Sequence, residues 1–246
     1  MGLRQTLILV LFMLFPTIGL SQIQIAVASN FKPTMELLVT DYLKFRLDNG
    51  LKPVSMHISA ASTGTLFAQI SHGAPFDILF SADSSSVDRL KQQLNLPDEN
   101  AFVYAIGSLV FYCRQTAPDS MKKLMDWSGV YGQANKRLAP YGQAASEVVD
   151  SLNWKGNKVI TAANVAQVSH FVATGSLDCG FTAKSLIPKT LDTQRYFNIP
   201  SELHRPIIQK ALVLSQDNAP EIDEFRQYIV YQGRKIIIES GYLVAH

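Results

Sequence analysis

The sequence predicts an α/β protein of two lobes, each a mostly parallel sheet flanked by helices, with a ligand cleft between them. Three observations carry this. Short apolar, strand-like segments alternate with segments whose apolar residues recur every three or four positions, the rhythm of a doubly wound sheet. That rhythm runs from Gln22 to Leu94, breaks at a long apolar stretch from Ala101 to Cys113, and then resumes. The turns between strand and helix are rich in Ser, Thr, Asn, Gly and Pro, the residues that open helices. The expected organisation is a leader over residues 1–21, a first lobe over 22–105 to which 210–246 return, and a second lobe over 106–209.

Arg4 precedes an apolar run from Leu7 to Phe15, and small residues stand at Gly19 and Ser21, the pattern of a cleavable signal peptide. A membrane anchor is the alternative, but the run is short for a span and Pro16 interrupts it. No cysteine lies nearby to carry a lipid. The expected location is therefore the periplasm, as a soluble chain without a lipid anchor.

Gln22 to Ala28 is the first strand, followed by Ser29-Asn30 and a helix with Phe31, Met35, Leu38, Tyr42 and Phe45 on one stripe. Val54 to Ser59 alternates as a second strand, and a helical period begins at Leu66 and Ile70. Asp77 to Phe80 leads through Ser81-Ala82-Asp83 into a helix around Val87 to Leu94. Ala101 to Cys113 is long enough to cross between lobes. Beyond it, Arg137 to Gly142 is expected as a short strand and turn before a helix holding Ala144, Val148 and Leu152. Lys158 to Thr161 is a strand entering Asn164-Val165 and a helix that ends at Gly175. Cys179 to Ala183 is strand-like, Ile207 to Leu214 is a returning strand, and Asp217 to Pro220 opens a last helix buried through Ile222, Phe225, Ile229, Ile236 and Ile237.

The chemistry sits in the turns. Ser62-Thr63-Gly64 joins a strand to a helix, so its free backbone N–H groups lie at the positive end of a helix dipole with hydroxyl donors beside them. The same residue types serve as plain N-caps. The recurrence favours an anion site: Ser29, Thr63, Tyr141 and Val165 each sit at the carboxyl end of an expected strand, where open sheets bind ligands. Ser62, Gly64, Pro140 and Asn164 shape these turns. No Lys, Arg or His stands at an apex, Lys32 being nearest, so neutral donors and dipoles would hold the anion.

Other chemistries fit less well. The 246 residues are 47% hydrophobic and 17% charged, with a formal net charge of +2 that falls by one with Arg4. No basic run is present to trace a nucleic-acid backbone, so no nucleic-acid partner is expected. His57, His72, His170, His204 and His246 are scattered, without a Cys or carboxylate at ligand spacing, and no metal site or resident cofactor is expected. Asp77 and Asp83 could pair for acid/base work, but a structural role is favoured, with Asp83 as a helix cap. Ser62 lacks a Gly-x-Ser-x-Gly frame, so an exported hydrolase is disfavoured. Cys113 and Cys179 are expected as two buried thiols, a disulfide being the alternative.

The motifs also carry a resemblance. Ala26-Val27-Ala28-Ser29, Ser62-Thr63-Gly64-Thr65-Leu66, Gly73-Ala74-Pro75 with Asp77 and Ser81-Ala82-Asp83, Ala139-Pro140-Tyr141-Gly142, and Asn164-Val165 with Gln167 resemble, in order, the motif series of the periplasmic molybdate-binding proteins. The resemblance implies a type II periplasmic binding protein fold and a monomeric receptor that takes molybdate or tungstate to an ABC permease. It implies ligation by the hydroxyl and N–H at Ser29, a hydroxyl at Thr63 where serine is commoner, and the N–H groups of Tyr141 and Val165. Some members add a tyrosine hydroxyl at the position of Ala183, which cannot donate; Tyr141 or Thr182 would replace it. A receptor for sulfate, phosphate or an organic solute is the alternative.

Overall fold

A computed structural model describes residues 21–154, 157–215 and 220–244. Apart from Ser21, the expected leader lies outside the described residues, as do Asp217 to Ala219 at the expected start of the last helix. The first half of the chain builds β1 (Ser21–Ala28), α1 (Lys32–Asp48), β2 (Val54–Ala61), α2 (Thr63–Ser71), β3 (Ile78–Ser81), α3 (Ser84–Gln93) and β4 (Ala101–Gly107). After Ser108 come β5 (Leu109–Cys113), α4 (Met121–Met125), β6 (Val130–Ala134), α5 (Pro140–Ser151), β7 (Lys158–Ala162), α6 (Val165–Thr174), β8 (Cys179–Ala183) and β9 (Tyr196–Asn198). The chain then returns through β10 (Ile207–Val213), α7 (Pro220–Val230) and α8 (Arg234–Glu239).

Two five-stranded sheets result, ordered β2-β1-β3-β10-β4 and β7-β6-β8-β5-β9. They share one plan. Three strands pair in parallel, a fourth is antiparallel, and the last again runs with the first three. The antiparallel member is in each case the strand entered directly from the other sheet: β5 from β4, and β10 after β9. A strand reached over a helix starts at the far edge of its sheet and ends at the cleft. One reached straight across starts at the cleft, and so must run the other way.

Each lobe has its own core. In the first, Phe31, Phe80 and Tyr104 pack with ring centroids 4.6 to 6.1 Å apart over α1 and the sheet. In the second, Phe111, Trp127, Trp154 and Phe181 do the same between 5.0 and 5.8 Å. Such offset and edge contacts suit the charge distribution of aromatic rings. Asp77 and Asp83 are structural, as expected. Asp83 Oδ1 accepts the Ser86 N–H at 2.6 Å and caps α3, while Asp77 Oδ2 accepts the Gln24 N–H at 2.7 Å.

Three expectations are corrected. The strand that feeds α5 is β6; the expected strand at Arg137 to Ala139 is a turn in which the Leu138 and Ala139 N–H groups both return to Asn135 O, at 3.0 and 2.9 Å. β6 escapes a pattern search because Gly132 and Gln133 occupy its buried middle. The last apolar stripe is two helices rather than one, broken after Val230 where the Gly233 N–H bonds Tyr228 O at 2.8 Å. Cys113 and Cys179 are joined in a disulfide instead of remaining thiols. The β5–β8 register sets the two directly opposite, with Cα atoms 4.0 Å apart.

Candidate functional site

β1 and β2 finish side by side at Ala28 and Ala61, and β6 and β7 finish side by side at Ala134 and Ala162. Beyond each pair one N–H crosses to the neighbouring strand: Ser29 to Ala61 O and Asn135 to Ala162 O, both at 2.9 Å. The two sheets therefore present the same construction twice, each strand end leading into a helix. Ala28 and Ala82 from the first lobe share one buried cluster with Ala139, Tyr141, Val165 and Ala183 from the second. The four predicted turns thus converge on one interlobe junction, where Ser29 is 8% exposed and Thr63, Tyr141 and Val165 are each 2% exposed.

The first turns of the helices decide which donors are free. In α2, Ser62 is the cap: its Oγ accepts the Thr65 N–H at 3.4 Å and lies 2.7 Å from Thr65 Oγ1. The Gly64 N–H crosses the cleft to Leu138 O at 2.8 Å. A Cβ at residue 64 would lie 3.0 Å from Leu138 Cα and 3.2 Å from Leu138 O, so a side chain there would crowd this approach. In α6, Asn164 Oδ1 accepts the Gln167 N–H at 3.0 Å while Gln167 Oε1 accepts the Ala163 N–H at 2.8 Å, a reciprocal cap. α5 begins with Pro140 and has no side-chain cap at all. Helix geometry leaves the N–H groups of Thr63, Tyr141 and Val165 without intrahelical acceptors. The Ser29 hydroxyl makes no hydrogen bond to another described residue and joins them in a set of donors drawn from both lobes, whereas the Ser29 N–H, expected as a further donor, is taken by Ala61 O at 2.9 Å.

Thr63 has a second task. Its Oγ1 accepts the Ala82 N–H at 3.1 Å, which leaves the hydroxyl hydrogen to point elsewhere. Lys32, the nearest cation in sequence, turns outward and pairs with Glu36 at the surface. Among the described residues no group of three or more His, Cys, Asp or Glu could hold a metal ion.

A model of the bacterial extracellular solute-binding proteins matches residues 23–243. The chain belongs to that family. It is 31% identical over 204 residues to the molybdate-binding protein ModA of Azotobacter vinelandii, covering 80% of this chain and 79% of that one. The ModA of Rhodobacter capsulatus is 31% identical over 157 residues, 62% of each chain. The solved periplasmic molybdate-binding protein of Azotobacter vinelandii superposes with a TM-score of 0.81 at 27% identity, over 91% of this chain and 100% of its own. The sulfate-binding protein SubI of Mycobacterium tuberculosis superposes with a TM-score of 0.67 at 13% identity over 90% of this chain and 86% of its own, a likeness of fold alone. The two-lobed type II fold of the solute-binding proteins is the fold observed here.

Within this solute-binding protein some groups lie where sequence reasoning did not put them. The Tyr141 phenol is turned into the interlobe interior, where its oxygen accepts from Gln209 Nε2 at 3.1 Å. Burial pushes this phenol, and that of Tyr104, well above the usual range, so both stay protonated. The Thr182 hydroxyl donates to Val165 O at 3.3 Å, beneath the α6 turn. Gln209 and its partner Asn30, 0% and 1% exposed, were not anticipated. A signal was present: Ile207, Gln209 and Ala211 alternate onto the buried face of β10, which puts an amide where a strand ordinarily places an apolar residue.

Proposed function

We propose that the chain is a periplasmic receptor that captures molybdate, and tungstate with it, between its lobes and delivers it to an ABC permease without chemical change. One observation supports this most: two mirrored pairs of strand ends aim hydroxyl and helix N-terminal N–H donors from both lobes at one buried junction, with no cation at any apex. Fixed, dry donors bind a dianion well because they need little reorganisation when it arrives. The identity to molybdate-binding relatives agrees with this ligand. Molybdate and tungstate are nearly the same tetrahedral dianion and should bind alike. Phosphate at neutral pH carries a proton for which the backbone N–H groups offer no acceptor, so binding it would turn a hydroxyl from donor to acceptor, and sulfate is smaller, leaving donors out of reach. On this reading the chain reaches the periplasm by a cleavable signal peptide and works as a monomer.

The test is a thermal melt of ligand-free protein with molybdate, tungstate, sulfate or phosphate in parallel. Ligand at about a hundred times its dissociation constant adds roughly 2.7 kcal/mol, which should raise the midpoint by about 5 to 11 °C for a chain of this size. A response to sulfate or phosphate in place of molybdate would overturn the ligand. Ser29→Ala should weaken molybdate binding by about 1.5 to 3 kcal/mol, the scale for a donor to a charged group, with little change in the ligand-free midpoint. Thr63→Ala should also lower the midpoint, because it orphans the Ala82 N–H, whereas Thr63→Ser should restore both properties. Calorimetric titration of the three variants checks this, and parent-like affinity in both alanine variants would remove these residues from the site.

A further inference from the structure

Beneath the four turns lies a buried polar cluster that joins the lobes, and anion capture as described makes no use of it. Gln209 is its centre. A β-bulge interrupts the β4–β10 pairing between Gln209 and Lys210, the kind of irregularity that re-aims a side chain. Gln209 Oε1 accepts from Asn30 Nδ2 and from the Tyr104 hydroxyl, both at 2.9 Å, and Nε2 donates to the Tyr141 oxygen at 3.1 Å.

The directions of these bonds form a consistent chain. The Tyr242 hydroxyl donates to the Asn30 backbone carbonyl at 2.9 Å, so its oxygen accepts from Asn30 Nδ2 at 3.0 Å. That fixes the Asn30 amide, which in turn requires Gln209 to present Oε1 to it and Nε2 to Tyr141. A second lobe-to-lobe bond, from Ser185 Oγ, reaches the same Asn30 carbonyl at 3.1 Å. Gly107, at the end of β4, supplies an independent sign that the Gln209–Tyr141 bond is built in. A Cβ there would lie 2.1 Å from the Tyr141 oxygen and 2.8 Å from Gln209 Nε2. Only a residue without a side chain lets that bond pass the point where the chain crosses between sheets.

We propose that Gln209 is a positioning residue that couples lobe closure to anion capture, its one amide holding the Ser29-Asn30 turn of the first lobe and the Tyr141 turn of the second in register. Asn30 adjoins the Ser29 hydroxyl, and Tyr141 carries a free N–H at the start of α5, so a change at Gln209 reaches donors on both sides of the junction. When the lobes part, the Gln209–Tyr141 bond is lost and both groups must find water. The closed state is where the whole cluster is satisfied.

This inference rests on the receptor reading, and the experiment separates the two. Gln209→Leu, Tyr141→Phe, Gly107→Ala and the double variant Gln209→Leu/Tyr141→Phe are titrated with molybdate, with release followed by stopped flow and the radius of gyration measured by X-ray scattering with and without molybdate. Tyr141→Phe should bind about tenfold more weakly, the scale of one buried hydrogen bond, and Gln209→Leu, which also frees Asn30 and Tyr104, and Gly107→Ala, whose Cβ collides with the Tyr141 oxygen, at least as much, with the loss in faster release. The double should be no weaker than Gln209→Leu, since the bond that Tyr141→Phe removes is already lost with Gln209. Multiplying effects in the double, or parent-like binding and release in Tyr141→Phe, overturn the proposal. Should Gln209→Leu fail to fold, Tyr141→Phe alone decides. If the parent itself ignores molybdate, the receptor reading falls, and scattering decides the coupling: a larger ligand-free radius in Tyr141→Phe than in the parent supports it, and equal radii overturn it.

Discussion

Replacing both Cys113 and Cys179 by alanine is expected to cost about 4 kcal/mol of stability, the loop-entropy value for a bridge of this span, and to lower the melting midpoint by about 8 to 16 °C. The bond joins residues 66 positions apart, and the loop it closes holds α4, β6, α5, β7 and α6, most of the second lobe. It also ties β5, the strand that enters from the first lobe, to β8 at the centre of the second sheet. An unfolded chain with this bond cut gains the freedom of that whole loop, whereas the folded lobe loses one short contact between strands already paired. The effect should therefore appear in global stability far more than in anion affinity, because the α5 and α6 turns keep their own hydrogen bonds. Thermal and urea unfolding of parent and double variant, each with and without reductant, measure it. Reductant should lower the parent's midpoint and leave the variant's unchanged. A parent midpoint that ignores both the substitution and the reductant would mean that the bond does not form.

What the sequence reveals, and what it hides, follows from the range of the interactions. β1, α1, β2 and β8 were legible because alternation or a helical stripe is a local property, and the end of α6 was legible because Gly175 sits there at a φ of +81°. Three of the four predicted turns were legible as turns for the same reason, since Ser29, Thr63 and Val165 follow strands that announce themselves; Tyr141 was placed only by the helix start at Pro140, because the strand before it was assigned to the wrong residues. β6 was not legible, since Gly132 is chosen by the side chains packed above it and not by strand propensity. A Cβ there would lie 2.6 Å from Leu177 Cδ1 and 2.9 Å from Val168 Cγ1. The disulfide was hidden because the register of β5 on β8 is set by the whole sheet. The Gln209 cluster was hidden more deeply. Its members come from residues 30, 104, 141, 209 and 242, and nothing nearby in sequence tells an amide in a strand what it will face.

Val165→Pro is expected to weaken molybdate binding by about 1.5 to 3 kcal/mol, the scale of a hydrogen bond to a charged group, or about tenfold to 150-fold in dissociation constant. The substitution removes a backbone donor while sparing the helix. Val165 is the first residue of α6, a position whose N–H has no intrahelical partner and where proline is well tolerated. Asn164 before it is already extended, with φ −152° and ψ 171°, the conformation a following proline demands. The Asn164 cap on Gln167 and the Thr182 bond to the Val165 carbonyl use atoms that proline retains. Val165 is also 2% exposed, so some packing is lost, and Val165→Ala measures that loss alone because it keeps the N–H. The two variants should have similar ligand-free midpoints and very different affinities. Equal affinity in both would show that the side chain matters and the N–H does not, and the anion would then have to be held by the remaining turns. The comparison isolates a backbone donor, which any residue but proline supplies. A site built from such donors constrains the shape of its turns more tightly than the identity of the residues at their apices, and this is how Val165 can stand at the apex of one turn while hydroxyls stand at others.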